Sequence, residues 1–144
     1  MPVTIRPLDS TDASAVSALL PDLGYEATTE QIVDRLAALR AWPDQDAFGA
    51  VIDGSIVGLC HLQGVRLLAS DGYAEIQALV VSAACQGQGL GKRLVLHACD
   101  WAFARGYERV RLRSGVQREA AHAFYEHLGF AKAKASFAFE LRKT

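Results

Sequence analysis

Apolar residues recur along the chain at two spacings, which alternate between segments. Strictly alternating or short continuous apolar runs predict strands, and apolar residues three or four apart predict helices, because these are the periods of the two structures. The predicted strands cover residues 3–7, 48–52, 55–65, 75–81, 109–113 and 137–141. The predicted helices lie around residues 16–20, between residues 28 and 43, and over 89–105 and 118–128.

Local signals support these boundaries. Thr28 and Gln31 have the spacing of a capping box, in which each side chain bonds the other's backbone N–H at the start of a helix. Asp53 and Gly54 separate two strand-like runs and suit the positive φ angles of a two-residue hairpin turn. Gly106 follows a helical segment closely, as a helix C-terminus requires. The element order is therefore β, α, α, β, β, β, α, β, α, β.

Length and composition limit the class of protein. With 144 residues, of which 51% are hydrophobic and 22% charged, the chain has apolar material for one core, and we expect a single domain over residues 1–144. A net charge of −1 excludes a strongly basic surface for nucleic acid. No apolar run approaches the roughly 20 residues of a membrane span, and the N-terminus lacks the apolar segment of a signal peptide. We therefore expect a cytoplasmic protein.

The cysteines do not indicate a metal site or disulfides. Cys60, Cys85 and Cys99 are odd in number and have neither C-x-x-C nor Cys/His spacing. We interpret them as reduced, small apolar side chains. No metal is predicted.

The segment QGQGLGKR, residues 86–93, joins a predicted strand to a predicted helix. Its three glycines allow a tight turn in which backbone N–H groups converge, and the helix N-terminus adds further N–H groups, so the segment suits an anion. The Walker spacing fails, because Gln86 stands where a glycine is needed and Arg93 where Ser or Thr is needed. The dinucleotide spacing GxGxxG fails as well. An ordinary glycine-rich turn stays open as the alternative.

Three motifs occur in a fixed order: EIQALVV at 75–81, Q-x-x-G-x-G from Gln86, and AHAFYEHLGF at 121–130. Together they resemble the GNAT superfamily of N-acetyltransferases, and the nearest resemblance is to the aminoalkylphosphonate N-acetyltransferase group. The resemblance covers essentially the whole chain. It implies an α/β (α+β) single-domain fold with a mixed, mostly antiparallel sheet of about six or seven strands, splayed at strands 4 and 5, and about four flanking helices.

The resemblance further implies acetyl-CoA as co-substrate. In this superfamily the pantetheine arm pairs with the backbone of the strand before the glycine loop, as an added strand would. The loop itself holds the pyrophosphate. The cofactor-binding residues implied are Leu79, Val80, Val81, Gln86, Gly87, Gln88, Gly89, Leu90, Gly91 and Lys92.

The implied reaction is direct attack of a small molecule's primary amine on the thioester. Such an amine is neutral in about one molecule in a few thousand at pH 7, so a base is needed. Glu75 is the predicted base, direct or through water, because it is the only carboxylate between Asp71 and Asp100 and has the superfamily's spacing to Gln86. A salt-bridged strand-edge glutamate is the alternative. Tyr125 matches the general acid for the thiolate, with a core aromatic as its alternative.

The acceptor is the least determined part of the prediction. The candidate acceptor-binding residues are Tyr25, His61, Gln77 and Arg113, and Arg66 is a further cation that could meet an anionic group. The predicted partners are acetyl-CoA and a small amine, and we expect binding to neither nucleic acid nor a membrane. A homodimer is also expected. Two other functions stay open: a non-catalytic acyl-CoA binding domain, and an acetyltransferase acting on a protein N-terminus or lysine.

Overall fold

The computed structural model describes residues 2–114 and 118–143. The chain divides into two compact units, Met1–Arg113 and Ser114–Thr144. The strands, all in the first unit, are β1 (Thr4–Pro7), β2 (Gln45–Ile52), β3 (Ser55–Val65), β4 (Tyr73–Val81) and β5 (Val110–Leu112). The helices are α1 (Ala13–Leu19), α2 (Thr29–Arg40) and α3 (Leu90–Ala104) in the first unit and α4 (Glu119–His127) in the second.

The five strands form one sheet in the order β1-β2-β3-β4-β5. The first four pair antiparallel in sequence, whereas β5 pairs parallel to β4 after the α3 crossover. The sheet is therefore mixed and mostly antiparallel, and the predicted fold class is confirmed.

The local signals act as predicted. The Thr28 hydroxyl accepts from the Gln31 N–H at 3.1 Å, and the Gln31 amide oxygen accepts from the Thr28 N–H at 2.9 Å. These two bonds satisfy N–H groups that the first turn of α2 would otherwise leave unpaired. Between β2 and β3, Asp53 and Gly54 have φ angles of 50° and 79°, which identifies the predicted primed hairpin turn.

Each face of the sheet has its own apolar core. On one face, Phe48, Leu62 and Ile76 pack with Leu94 and Ala98 of α3. On the other face, the packed residues come from α1, α2 and the sheet, and they are Val16, Leu19, Ile32, Leu59 and Val80. The core to which a strand residue belongs therefore shows toward which face of the sheet its side chain points.

A β-bulge in β4 changes that direction. His61 of β3 pairs with Ala78 and Leu62 pairs with Ile76, so Gln77 has no partner on β3. Ile76 packs in the α3 core, whereas two residues later Ala78 packs in the core of α1 and α2. Because the extra residue shifts the alternation, Glu75, Ala78 and Val80 all face the α1 and α2 side.

The second unit contains α4, and its described residues include no strand. The predicted strand over 137–141 is therefore wrong, and the described sheet has five strands rather than six or seven. A strand needs a partner for its backbone groups, and none is described within this unit. Phe137, Phe139 and Leu141 are 89–97% exposed. That residues 1–144 form one domain stays a prediction.

Candidate active site

The sheet splays between β4 and β5. These strands pair at only three positions, Ala74 with Val110, Glu75 with Arg111 and Ile76 with Leu112, whereas β4 continues to Val81. Beyond the splay, β4 stays paired with β3 on its other edge. The last residues of β4 therefore have a backbone edge that β5 does not cover.

The backbone of Leu79 and Val81 faces this uncovered edge. The Ser82 N–H donates to the Val57 carbonyl of β3 at 2.7 Å, and successive residues of a strand direct their N–H groups to opposite edges. The Val81 carbonyl in turn accepts from the Gln86 side chain at 3.3 Å. Leu79 retains donor and acceptor groups that can pair with an extended ligand.

The glycine loop between β4 and α3 depends on backbone conformation. Gly87 and Gly89 have φ angles of 81° and 76°, in the left-handed region that side chains disfavour, although a Cβ at either position would meet nothing within 4 Å. Gly89 is also the N-cap residue of α3, and no side chain caps this helix. The first N–H groups of α3 are therefore available to an anion.

The charges around this helix start also favour an anion. The first turn of α3 carries no acidic residue, and Lys92 lies in it. The Arg93 guanidinium instead donates to the Val3 carbonyl at 3.2 Å, which ties the helix start to the strand at the chain's beginning. Leu90, 2% exposed, and the fully buried Leu94 anchor the same turn in the core. The loop is thus a cationic, pre-formed cradle.

Glu75 lies on β4 immediately before the bulge, and its side chain is 15% exposed. The Gln77 amide donates to its Oε1 at 2.9 Å, and the Arg113 Nε lies 3.7 Å from its Oε2. The ion pair of the alternative interpretation is therefore present. It does not exclude a role as base, because a paired carboxylate can still accept a proton.

Glu75 belongs to a row of polar side chains across four strands. Gln45 of β2 pairs with Gln63 of β3, Gln63 with Glu75, and Glu75 with Arg111 of β5, so all four face the α1 and α2 side. The Gln45 Oε1 is buried without a described hydrogen-bond partner. The predicted acceptor residue Gln77 borders this row at the bulge.

His61 lies on the same face of the sheet, on β3, two residues before Gln63. Its Nε2 is buried and has no hydrogen-bond partner among the described residues. Burial lowers the pKa of this imidazole, which favours its neutral form at pH 7. A neutral imidazole with an unsatisfied nitrogen can bond a polar ligand.

Three arginines alternate along β5 and its flanks on this face. The Arg109 and Arg111 guanidiniums lie 5.5 and 4.5 Å from the centre of the Tyr73 ring, and Arg113 pairs with Glu75. Sequence analysis named Arg113 but missed Arg111 and Gln63. The alternation of charge at 109–113 was visible, but only the strand register shows which arginine lies beside the carboxylate.

The other predicted acceptor candidates lie elsewhere. Tyr25 follows the left-handed Gly24, and its side chain is 68% exposed. The Arg66 guanidinium lies 3.5 Å from a carboxylate oxygen of Asp44 and over the Tyr107 ring at 5.3 Å. Arg66 is thus engaged by its own chain.

Tyr125 belongs to the second unit, where it lies near the end of α4. Its ring packs edge-on against Phe124 and Phe130, with centroid distances of 5.4 and 6.1 Å. The Phe130 N–H donates to the Tyr125 carbonyl at 3.0 Å, which closes the end of the helix. These contacts match the core interpretation of the ring, and the role of its hydroxyl stays a prediction.

An uncovered strand edge leading into an anion cradle, with a half-buried carboxylate on the same strand, suits an enzyme whose extended ligand carries an anionic group. Comparison with known proteins identifies the family. The model of the acetyltransferase (GNAT) family matches residues 15–130. The chain belongs to this family, which confirms the resemblance, and acetyl-CoA is its co-substrate.

Two curated relatives are similar over most of their length. An uncharacterized N-acetyltransferase of Bacillus subtilis is 32% identical over 113 residues, 78% of this chain and 80% of the relative. The aminoalkylphosphonate N-acetyltransferase of Salmonella typhimurium is 30% identical over 141 residues, 95% of this chain and 91% of the relative. Both names specify transfer to nitrogen.

Solved structures share the fold. A proposed acetyltransferase from Agrobacterium tumefaciens has a TM-score of 0.86 and 31% identity, over 96% of this chain and 99% of that chain. The glucosamine-6-phosphate N-acetyltransferase of Arabidopsis thaliana has a TM-score of 0.85 over 99% of this chain and 100% of that chain. At 21% identity, the second likeness concerns the fold alone.

Proposed function

We propose that the protein transfers the acetyl group of acetyl-CoA to the primary amine of a small molecule, by direct attack within a ternary complex. Glu75 is the proposed base and Tyr125 the proposed acid. The observation that carries this proposal is the half-buried Glu75 carboxylate on β4, beside the point where the sheet splays. It is a proton acceptor close to the uncovered edge of the strand.

The donor would bind along the splay. The uncovered backbone of Leu79 supports pairing with the amides of the pantetheine arm, as Val81 does once the Gln86 side chain moves aside. The cradle of Gly87 and Gly89 supports binding of the pyrophosphate at the start of α3. This arrangement would fix the thioester near the beginning of the splay, on the side from which Glu75 can be reached.

Glu75 would take the proton that activates the amine. Deprotonating an alkylammonium with a pKa of about 10.4 at pH 7 costs roughly 4.6 kcal/mol, which an adjacent base can offset. Gln77 and Arg113 hold the two carboxylate oxygens in place, and a water molecule could relay the proton. The unsatisfied His61 Nε2 on the same face could bond such a water or the acceptor.

Tyr125 would return a proton to the leaving thiolate of coenzyme A. This assignment rests on the match of AHAFYEHLGF to the family motif, and a phenol can donate a proton to a developing thiolate. Carbon–sulfur bond cleavage would then be completed without releasing a free thiolate.

A small-molecule acceptor is supported by the relative named for aminoalkylphosphonates. Another relative, the N-alpha-acetyltransferase 30 of Schizosaccharomyces pombe, is 30% identical over 74% of this chain, which keeps peptide N-termini worth testing. The described residues contain no helix long and apolar enough to cross a membrane. A cytoplasmic location and a homodimer stay predictions.

The test measures release of coenzyme A thiol with small amines, amino-sugar phosphates, polyamines and peptides. We expect turnover with a small amine, and Tyr125→Phe should lower kcat by about 10²- to 10⁴-fold while leaving coenzyme A binding intact. Unchanged turnover in Tyr125→Phe would remove this residue from the mechanism. Binding of coenzyme A without acetylation of any acceptor would instead identify a non-catalytic binding domain.

A further inference from the structure

We propose that Arg111 recognises an acid group on the acceptor, so that the substrate is an amine that also carries a carboxylate, phosphate or phosphonate. This inference rests on the proposed function and specifies its substrate class. The strand register identifies this residue, because Arg111 pairs directly with Glu75, the proposed base, and the two side chains lie on the same face of the sheet.

The first argument is a local excess of positive charge. Arg109, Arg111 and Arg113 alternate on one face of β5 and its flanks, and Glu75 is the carboxylate that the register places among them. The chain as a whole has a net charge of −1. Three cations around one acid are therefore a local feature, and they favour an anionic ligand.

The second argument concerns which of these cations can still bind. Arg113 is paired with Glu75, and Arg109 donates to the Gly72 carbonyl at 3.0 Å. Among residues 2–114 and 118–143, the interaction described for Arg111 is its stacking on the Tyr73 ring, with no acid partner. Stacking uses the face of the guanidinium and leaves its N–H edge available, in the planar geometry that binds an acid group with two bonds.

The third argument is burial. Arg111 is half-buried, unlike Arg113, whose side chain is 65% exposed. The neighbouring Glu75 carboxylate is engaged by Arg113 and Gln77. A charge that is partly withdrawn from water and has no acid group bonded to it raises the free energy of the folded protein, and a bound anion would relieve this cost. Tyr73, 9% exposed, holds the guanidinium in position before the ligand arrives.

Register also limits the size of the acceptor. Neighbouring strands lie about 4.8 Å apart, so an amine at Glu75 and an acid group at Arg111 belong to one small molecule with a short linker. The polar side chains of Gln63 and Gln45 continue the same row and could bond further polar groups.

The experiment compares three acceptors with the same two-carbon linker: 2-aminoethylphosphonate, β-alanine and the uncharged n-propylamine. The readout is the ratio of kcat/KM for each acid-bearing amine to kcat/KM for propylamine. We expect this ratio to exceed one in the native protein. Arg111→Gln should lower it by about 10- to 100-fold, and Arg111→Lys should restore part of it. The two acids show whether a carboxylate or a phosphonate fits better.

Arg109→Gln is the matched control, because it removes the same charge two residues away on the same face. Because it also removes one of the three local cations, it should lower the ratio, but by much less than Arg111→Gln does. An equal fall in Arg109→Gln, an unchanged ratio in Arg111→Gln, or equal use of all three acceptors by the native protein would each overturn the inference while leaving acetyl transfer established. If no amine is acetylated, the proposed function fails and this inference fails with it.

Discussion

At the scale of single residues, Glu75 has two partners of different character. Gln77 is a neutral donor that the bulge brings next to the carboxylate, whereas Arg113 is a cation whose side chain is 65% exposed. Water screens an exposed ion pair strongly, so the pair with Arg113 adds little to folding stability. Its clearer consequence is orientation of the second carboxylate oxygen.

Glu75→Gln should therefore affect chemistry more than folding. The amide keeps the shape and one acceptor oxygen of the carboxylate but cannot take a proton, so kcat should fall by about 10²- to 10⁴-fold at pH 7. Steady-state kinetics with saturating acetyl-CoA measure this. The control is Glu108→Gln, an exposed glutamate just before β5, which should keep native turnover. Native kcat in Glu75→Gln would exclude this residue as the base.

At the scale of elements, the cradle is an αL turn joined to an uncapped helix. Gly89 supplies the left-handed residue that directs the first N–H groups of α3 toward the loop. Gly24 offers a comparison, because it also has a left-handed φ, 84°, and ends a helical turn, and a Cβ added there would meet nothing within 4 Å. Both glycines therefore need a left-handed backbone, but only Gly89 lies in the proposed cradle.

Gly89→Ala and Gly24→Ala should each lower the free energy of unfolding by about 1–2 kcal/mol, because alanine is strained at these φ angles. Only Gly89→Ala should also weaken coenzyme A binding. Coenzyme A at 100 times its Kd should stabilise the native protein by about 2.7 kcal/mol through linkage, and it should stabilise the Gly24→Ala variant by the same amount. Thermal unfolding with and without coenzyme A separates the two effects. Equal stabilisation of both variants would argue against the cradle.

Elements with local causes were predictable from the sequence. The capping box of Thr28, the Asp53 turn and the glycine loop all depend on residues adjacent in the chain, and the structure contains the first two as predicted and the loop in the expected position. The fold class followed from the order of such elements. Glu75 and the loop residues were named as site candidates for the same reason, and their roles remain to be tested.

Features that depend on the pairing between strands were not predictable from the sequence. The bulge at Gln77 and the pairing of Arg111 with Glu75 arise from strand register, which a single sequence does not state. The segment 137–141 has the alternation of a strand, yet alternation cannot supply the neighbour that a strand requires. The acceptor side of the site was therefore described incompletely.

At the scale of the molecule, one ion pair joins the start of the sheet to the helical layer. Arg6 of β1 donates to both carboxylate oxygens of Asp12 at 2.8 and 2.9 Å, and the Asp9 N–H also donates to Asp12. The Asp12 side chain is 7% exposed. The hydrogen bonds from Arg6 lower the pKa of this carboxyl from its ordinary value of 3.8.

Asp12→Asn should lower the free energy of unfolding by about 1–3 kcal/mol at pH 7, because a buried charge-assisted contact is lost. The folded-state pKa of Asp12 is lowered, so its contribution is complete above pH 3.8 and disappears as the pH falls through the folded-state pKa. Urea unfolding at several pH values should show the difference from the native protein shrinking in acid. Asp34→Asn, an exposed change on α2, is the control. A difference independent of pH would contradict this account.

The unpaired Gln77 constrains how chain length can vary in β4. Loops can gain or lose single residues without turning the elements that they join. In β4, removing the extra residue Gln77 would restore regular alternation and would keep Glu75 on the α1 and α2 side and Leu79 in the α3 core. Removing two residues between Glu75 and Leu79 would instead reverse one side of the strand, so that either Glu75 would enter the α3 core or Leu79 would leave it. The strand between the proposed base and the cradle can thus lose one residue, at the bulge, and cannot lose a second without turning one of its two parts.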